Sequence, residues 1–197
     1  MQRVAIVGVG GIGSHLVDHI NALCAAGEFK NFEFTIFDDD VVEPKNLKYQ
    51  KFQDKDMGAP KVEALYSTYL DIPRFIPENR RVQAKELTNY HMVVICVDSG
   101  EWRKSFFSQT KAPQQWIDLR SEGRSLAAYT SGKKNTAEYM NSTLESATKN
   151  NGSCQLAHEF DKGIIQAGNR VVAMIGVQYL LNYCHGETSP PEFIQRF

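Results

Sequence analysis

The chain contains no C-x-x-C pair, and its four cysteines, Cys24, Cys96, Cys154 and Cys184, lie far apart. That spacing excludes a zinc ribbon and offers no disulfide framework, so reduced thiols and no structural zinc are expected. Also lacking is any apolar run approaching a membrane span, or a signal-peptide pattern behind MQRVAIVGV. No membrane association and a cytoplasmic location are therefore expected. The N-x-S/T matches at Asn141 and Asn151 then read as coincidence, because glycosylation requires secretion. Charge of one sign is missing too. A net charge of −1 over 197 residues gives no global attraction for nucleic acid or acidic membranes, so binding must come from a local site. There is no internal repeat and no low-complexity segment.

What is present is a core-forming composition, 42% apolar, at a length that suits one domain over 1–197. RVAIV (3–7) is short, β-branched and without alternation, as in a strand buried on both faces of a parallel sheet. Glycines end it. Ile12, Leu16, Ile20 and Leu23 then recur at helical spacing up to Gly27, and FEFTIF (32–37) makes a second strand, completing a βαβ unit. Pro60 suits the first turn of a helix with Val62, Leu65 and Tyr69 on one stripe. A short strand near Phe75 or Val82 is expected within 71–90. MVVICV (92–97) is another buried strand, DSGEWRKSFF a turn and helix, and 116–119 a further strand. Residues 131–160 are polar with weak periodicity and predict a long excursion or crossover loop rather than core. GNRVVAMIGVQYLLNY (168–183) is apolar nearly all round and predicts a helix buried in the core or against another subunit. The fold class is α/β, Rossmann-like and doubly wound, with a mostly parallel sheet and helices on both faces.

Gly8, Gly10 and Gly13 form G-x-G-x-x-G between strand and helix, with Gly11 a fourth glycine. Phosphate oxygens need close backbone N–H groups and a positive helix end, and positions without side chains permit that approach. Asp38 ends the second strand about 25 residues later, where a carboxylate can accept from ribose hydroxyls. An NAD-dependent oxidoreductase and an adenylating enzyme both want that residue. The next loop, with Lys45, Lys48, Lys51 and Lys61, favours a triphosphate, which needs cations and a metal that a dinucleotide does not.

The order of motifs resembles the ThiF/MoeB-type adenylyltransferases of the ubiquitin-activating-enzyme-like superfamily. Those proteins pair a G-x-G-G-x-G turn with D-x-D-x-V-x-x-x-N-L-x-R-Q, then G-x-x-K, then an apolar strand ending in aspartate. This chain has GVGGIG from Gly8, DDDVVEPKNLKYQ from Asp38 to Gln50, GAPK from Gly58 to Lys61, and VVICVDS with Asp98; the late helix is similar as well. The resemblance implies ATP and Mg²⁺ as ligands, with Asp38 on the ribose, Asn46, Gln50 and Lys61 on the phosphates, and Asp98 on Mg²⁺. Asp40, Lys48 and Tyr49, in the same loop, are expected to join Gly8, Gly10, Gly11, Gly13 and Asp38 in binding the nucleotide. The implied reaction joins the C-terminal carboxylate of a small ubiquitin-like or sulfur-carrier protein, ending in Gly-Gly, to the α-phosphate of ATP. A homodimer is also implied.

Three departures stand out. Tyr49 occupies the place of the family's arginine and brings neither charge nor a bidentate fork. Only two residues precede Arg3, where many relatives supply an arginine in trans, and the paired C-x-x-C motifs of many bacterial members are absent. Cys154, in NNGSCQ, lies where some relatives carry a transfer thiol; an ordinary thiol is the blander reading. His15 and His19 have i,i+4 metal-ligand spacing without the glutamate of H-E-x-x-H, so a packing role is favoured. Arg103 reads as a surface ion pair, or as a phosphate or partner contact. Two other functions stay open: a catalytically weakened relative that binds nucleotide or partner without turnover, and the NAD-dependent oxidoreductase. Activation of a small carboxylate or a tRNA nucleoside is a weaker variant, since no RNA footprint is present.

Overall fold

The structure is a computed structural model, and it describes residues 1–109, 114–122, 124–145 and 167–197. Strand β1 (Gln2–Val7) leads through the glycine turn into α1 (Gly13–Ala25), and β2 (Phe32–Phe37) follows. After two short helical turns come α2 (Lys61–Thr68) and β3 (Phe75–Glu78), then β4 (Met92–Ile95) and α3 (Gly100–Gln109). Next are β5 (Gln115–Glu122), β6 (Ser125–Thr130), α4 (Ala137–Glu145), α5 (Gly168–His185) and β7 (Glu192–Arg196).

The seven strands lie in the order β3-β2-β1-β4-β5-β6-β7. Pairing is parallel from β3 to β5 and antiparallel through β6 and β7. The chain winds outward from β1 to β3, then returns to place β4 on the other side of β1. The crevice between the carboxyl ends of β1 and β4 is therefore the topological switch point, where ligands of such sheets bind.

Alternation along each strand divides the core between the two faces. Val4, Ile6, Phe34, Ile36, Val94, Leu119 and Ala128 face α1, α2 and α5, whereas Ala5, Val7, Val93, Ile95, Trp116 and Tyr129 face α3 and α4. Burial on both faces explains why β1 and β4 read as unbroken apolar runs. Two expectations change. The segment 131–160 is not wholly an excursion, because α4 packs Met140 and Leu144 into the core. Its two apolar anchors, four residues apart, are too few to stand out in a polar sequence. Residues 146–160, including Cys154, fall outside the described residues. Helix α5 is buried on one stripe, through Asn169, Val172, Ala173, Gly176 and Leu180, while Arg170, Met174 and Gln178 face outward.

Candidate functional site

The glycine turn is shaped by two different demands. Gly8 has φ +88°, a backbone that side-chain-bearing residues rarely adopt, and it packs on the backbone of Cys96 and Val97. A Cβ on Gly13 would fall 2.0 Å from the Gly8 carbonyl oxygen, so the first turn of α1 can sit this close to β1 only without a side chain. Gly10 differs: its nearest neighbour to a built Cβ would be Gln50 Nε2 at 3.9 Å. Its open side is the kind of space a phosphate needs.

Asp38, at the end of β2, accepts the Val9 N–H at 2.6 Å and the Asp40 N–H at 3.0 Å. It thereby locks the glycine turn to the neighbouring strand. Burial pushes its carboxyl above the usual range, against the lowering effect of the Val9 hydrogen bond and the Lys61 charge. Asn46 is buried, and its Oδ1 accepts the Glu43 N–H at 2.8 Å, so only its amide nitrogen could donate to a phosphate. Ser14 donates its hydroxyl to the Gly10 carbonyl and accepts the Lys51 N–H, and His15 Nε2 meets the Tyr49 carbonyl at 3.0 Å. Residues 49–51 are thus pinned to the start of α1, which brings Gln50 over Gly10. Gln50 is buried, and its Oε1 has no hydrogen-bond partner. That oxygen can only be satisfied by a donor, whereas Nε2, the atom nearest to a Cβ built on Gly10, is the end that can donate to a phosphate.

The four lysines separate sharply. Lys45 is exposed and paired with Glu43, Lys51 pairs with Asp18 on α1 at 3.1 Å, and Lys48 is exposed. Lys61 is the buried one. Its Nζ meets Asp40 Oδ2 at 2.7 Å, with 6% of the lysine side chain exposed against 68% of the aspartate. Its N–H also donates to the Asp40 carbonyl, so the first residue of α2 is fixed to the end of β2 at two points. Asp98 is exposed just beyond β4, and Ser99 beside it caps α3 by accepting the Trp102 N–H.

The histidine pair joins no metal-ligand group among the described residues; burial, foremost, lowers the pKa of both. Cys96 is core, and burial raises the Cys24 thiol to about 11, as suits a packing residue. Arg103 is not at the surface. It donates to Asp118 Oδ1 at 2.8 Å and to the Leu119 carbonyl at 2.9 Å, while Arg120 holds Asp118 Oδ2 at 2.7 Å. No short-range pattern links residues 103, 118 and 120, which is why this buried triad was missed. An open groove of about 830 Å³ lined by Lys85, Asn89, His91, Gln109 and Gln115 lies at the opposite edge, by the amino ends of β4 and β5. That edge is not where parallel sheets place their ligands.

Fold and site together define a Rossmann-like α/β domain with a phosphate-type glycine turn at its switch point. The ThiF family model matches residues 1–197, and the chain belongs to the ThiF family. No curated protein matches it in sequence. Among solved structures it is similar to E. coli MccB with ATP, at 17% identity and a TM-score of 0.71, covering 100% of this chain and 60% of that one. PaaA is similar at 16% identity and a TM-score of 0.66, with 100% and 61% covered. E. coli MccB with MccA-N7isoASN gives 18% identity, a TM-score of 0.68, and 100% and 62% covered. The chain thus spans about three fifths of the solved chains it matches.

Proposed function

We propose that the chain is an ATP-dependent adenylyltransferase that activates the C-terminal carboxylate of a small ubiquitin-like or sulfur-carrier protein, ending in Gly-Gly, and works as a homodimer. The observation that carries this reading is the convergence, at one edge, of the open Gly10, the Gln50 amide nitrogen beside it and the buried Lys61 ammonium, whose partner Asp40 is mostly exposed. A dinucleotide has no need of a buried ammonium there. MccB structures with ATP and with MccA support a nucleotide and a peptide or small-protein partner.

In this reading a carboxylate oxygen bonds to the α-phosphorus, and the bond from that phosphorus to the α–β bridging oxygen breaks. Pyrophosphate leaves with the electron pair. The nucleophile is already ionised, so no strong base is required, and the protein's task is positioning and charge neutralisation. Asp38 orients the ribose, while Asn46, Gln50 and Lys61 donate to phosphate oxygens. Asp98 would hold Mg²⁺, which supplies charge neutralisation; a single carboxylate completed by substrate phosphates is a usual magnesium arrangement.

The test is ATP–pyrophosphate exchange with candidate carrier proteins, with Asp98→Ala as the inactive control. ATP binding without exchange for any carrier would favour the weakened relative, which Tyr49 motivates. If the missing guanidinium limits turnover, Tyr49→Arg raises exchange by about tenfold, the worth of a charge-assisted contact; an unchanged or lower rate rejects that limit. Gly10→Ala puts a methyl on the open side of the turn, where a Cβ meets no backbone atom within 4 Å. Calorimetry should show nucleotide affinity lowered by about tenfold or more with the melting temperature kept; unchanged affinity would place the phosphates elsewhere.

A further inference from the structure

Four buried polar atoms without a hydrogen-bond partner belong to three side chains at the carboxyl edge of the sheet, on the face of α1 and α5. They are Gln50 Oε1, Ser121 Oγ, and both Oδ1 and Nδ2 of Asn169. Gln50 belongs to the glycine-turn site described above. Asn169 and Ser121 have no part in it, and Asn169 is 1% exposed. A fully buried amide with neither end satisfied costs several kilocalories per mole, and a site retains such a group when a ligand completes it.

The packing of α5 locates this amide. The C-terminal end of α5 is tied to the amino edge of the sheet, where the Tyr183 hydroxyl donates to Gln2 Oε1 and His185 meets Glu28. Midway, Gly176 packs on Leu16 of α1 and Leu119 of β5. Asn169 is seven residues earlier on the same buried stripe, about 10 Å further along the axis. It therefore sits in the first turn of α5, at the carboxyl edge, on the side facing α1 and β5. Ser121, two residues past Leu119, occupies the same face of β5. The two helices run side by side with both amino ends at the glycine-turn edge.

The surroundings favour an anion. Ala167 provides no side-chain cap, the first turn of α5 holds no acidic residue, and the positive helix end is followed by the exposed Arg170. Arg170 is near enough to His15 that its charge adds to burial in lowering that pKa. Phosphate and carboxylate would both suit the positive end, but the amide decides between them. The ionised phosphates of a nucleotide only accept and would leave Asn169 Oδ1 unsatisfied. A terminal peptide unit offers an N–H to Oδ1 and a carboxylate to Nδ2 and to the helix N–H groups.

We propose that Asn169, at the amino end of α5, and Ser121, on the same face of β5, form the seat for the last peptide unit and free carboxylate of the acyl substrate, beside the glycine turn. The identity of that substrate rests on the adenylation reading; the seat itself is tested without turnover. Glycylglycine, its C-terminal amide and Mg-ATP are titrated separately while the Asn169 side-chain NH₂ resonances, assigned by their loss in Asn169→Asp, are followed by NMR. Glycylglycine should shift them, and its amide should bind at least tenfold more weakly. By calorimetry, Asn169→Asp, equal in size but repelling a carboxylate, should weaken glycylglycine at least tenfold, and Ser121→Ala several-fold. No shift, an equal response to the amide, or a response to Mg-ATP alone overturns the seat. Shifts with glycylglycine but no exchange with any carrier would sink adenylation and keep the seat. Exchange with an unchanged carrier KM in Asn169→Asp would do the reverse.

Discussion

Asp118→Ala is expected to lower the unfolding free energy by about 3–5 kcal/mol, the cost of breaking a buried ion pair by removing one partner. Its carboxylate has no exposed surface and is shared by Arg103 of α3 and Arg120 of β5. Arg120 continues to Thr143 of α4 and lies over the Tyr129 ring of β6. Removing the anion leaves two guanidiniums facing each other in a nearly dry site, and loosens the face that supports the loop carrying Asp98. A loss of this size is a large share of the stability of an ordinary domain. Urea unfolding measures it, and a change under 1 kcal/mol would show that water or another group replaces the carboxylate.

The same residue sets an acid limit. Burial alone would raise the Asp118 carboxyl, but the charges of Arg103 and Arg120 outweigh it and hold the group below the usual carboxylate range. Its stabilising contribution is therefore complete above the unfolded value, about 3.9, and is lost as pH falls through the lower folded value. Asp118→Asn should remove that portion of the acid unfolding profile. An unaltered profile would mean that other groups account for all of it.

Lys61→Met is expected to weaken Mg-ATP binding by roughly 10- to 100-fold, the worth of one charge-assisted hydrogen bond, while the melting temperature is kept or raised. The two outcomes have one cause. Lys61 is a buried ammonium whose partner Asp40 is mostly in water, so the fold carries the desolvation of a cation against a well-hydrated anion. A methionine of similar volume removes that cost and leaves Asp40 solvated. What is lost, on the proposed reading, is a cation for a phosphate oxygen, the usual exchange of stability for function. Affinity within twofold of wild type would remove Lys61 from the phosphate site, and a strongly lowered melting temperature would make the Lys61–Asp40 pair structural.

Asp118 and Lys61 mark how far the site could be read before the fold was known. Asp38 and the glycine turn were legible because strand, turn and helix are consecutive, and their chemistry depends on spacing along one segment. Asp118 was not, since its partners come from α3 and β5 and no periodicity joins them. The lysines fall between these cases. Lys45, Lys48, Lys51 and Lys61 share one loop and look equivalent, but the turn at Asn46 and the anchoring of 49–51 on α1 send them to different surroundings. Helix α4 was hidden because two buried side chains per helix are enough when the sheet supplies the rest of the core.

By itself the sequence determined the β1–α1–β2 unit, the class of sheet, the glycine turn and the carboxylate at the end of β2. These follow from steric and hydrophobic rules that act over a few residues. Only the tertiary structure decided which lysine is buried, that Arg103 and Arg120 share Asp118, and that Asn169 and Ser121 bring unsatisfied polar atoms to the edge where Gly10 is open. Burial and charge pairing depend on which segments meet across the sheet, and strand order, not spacing along the chain, settles that.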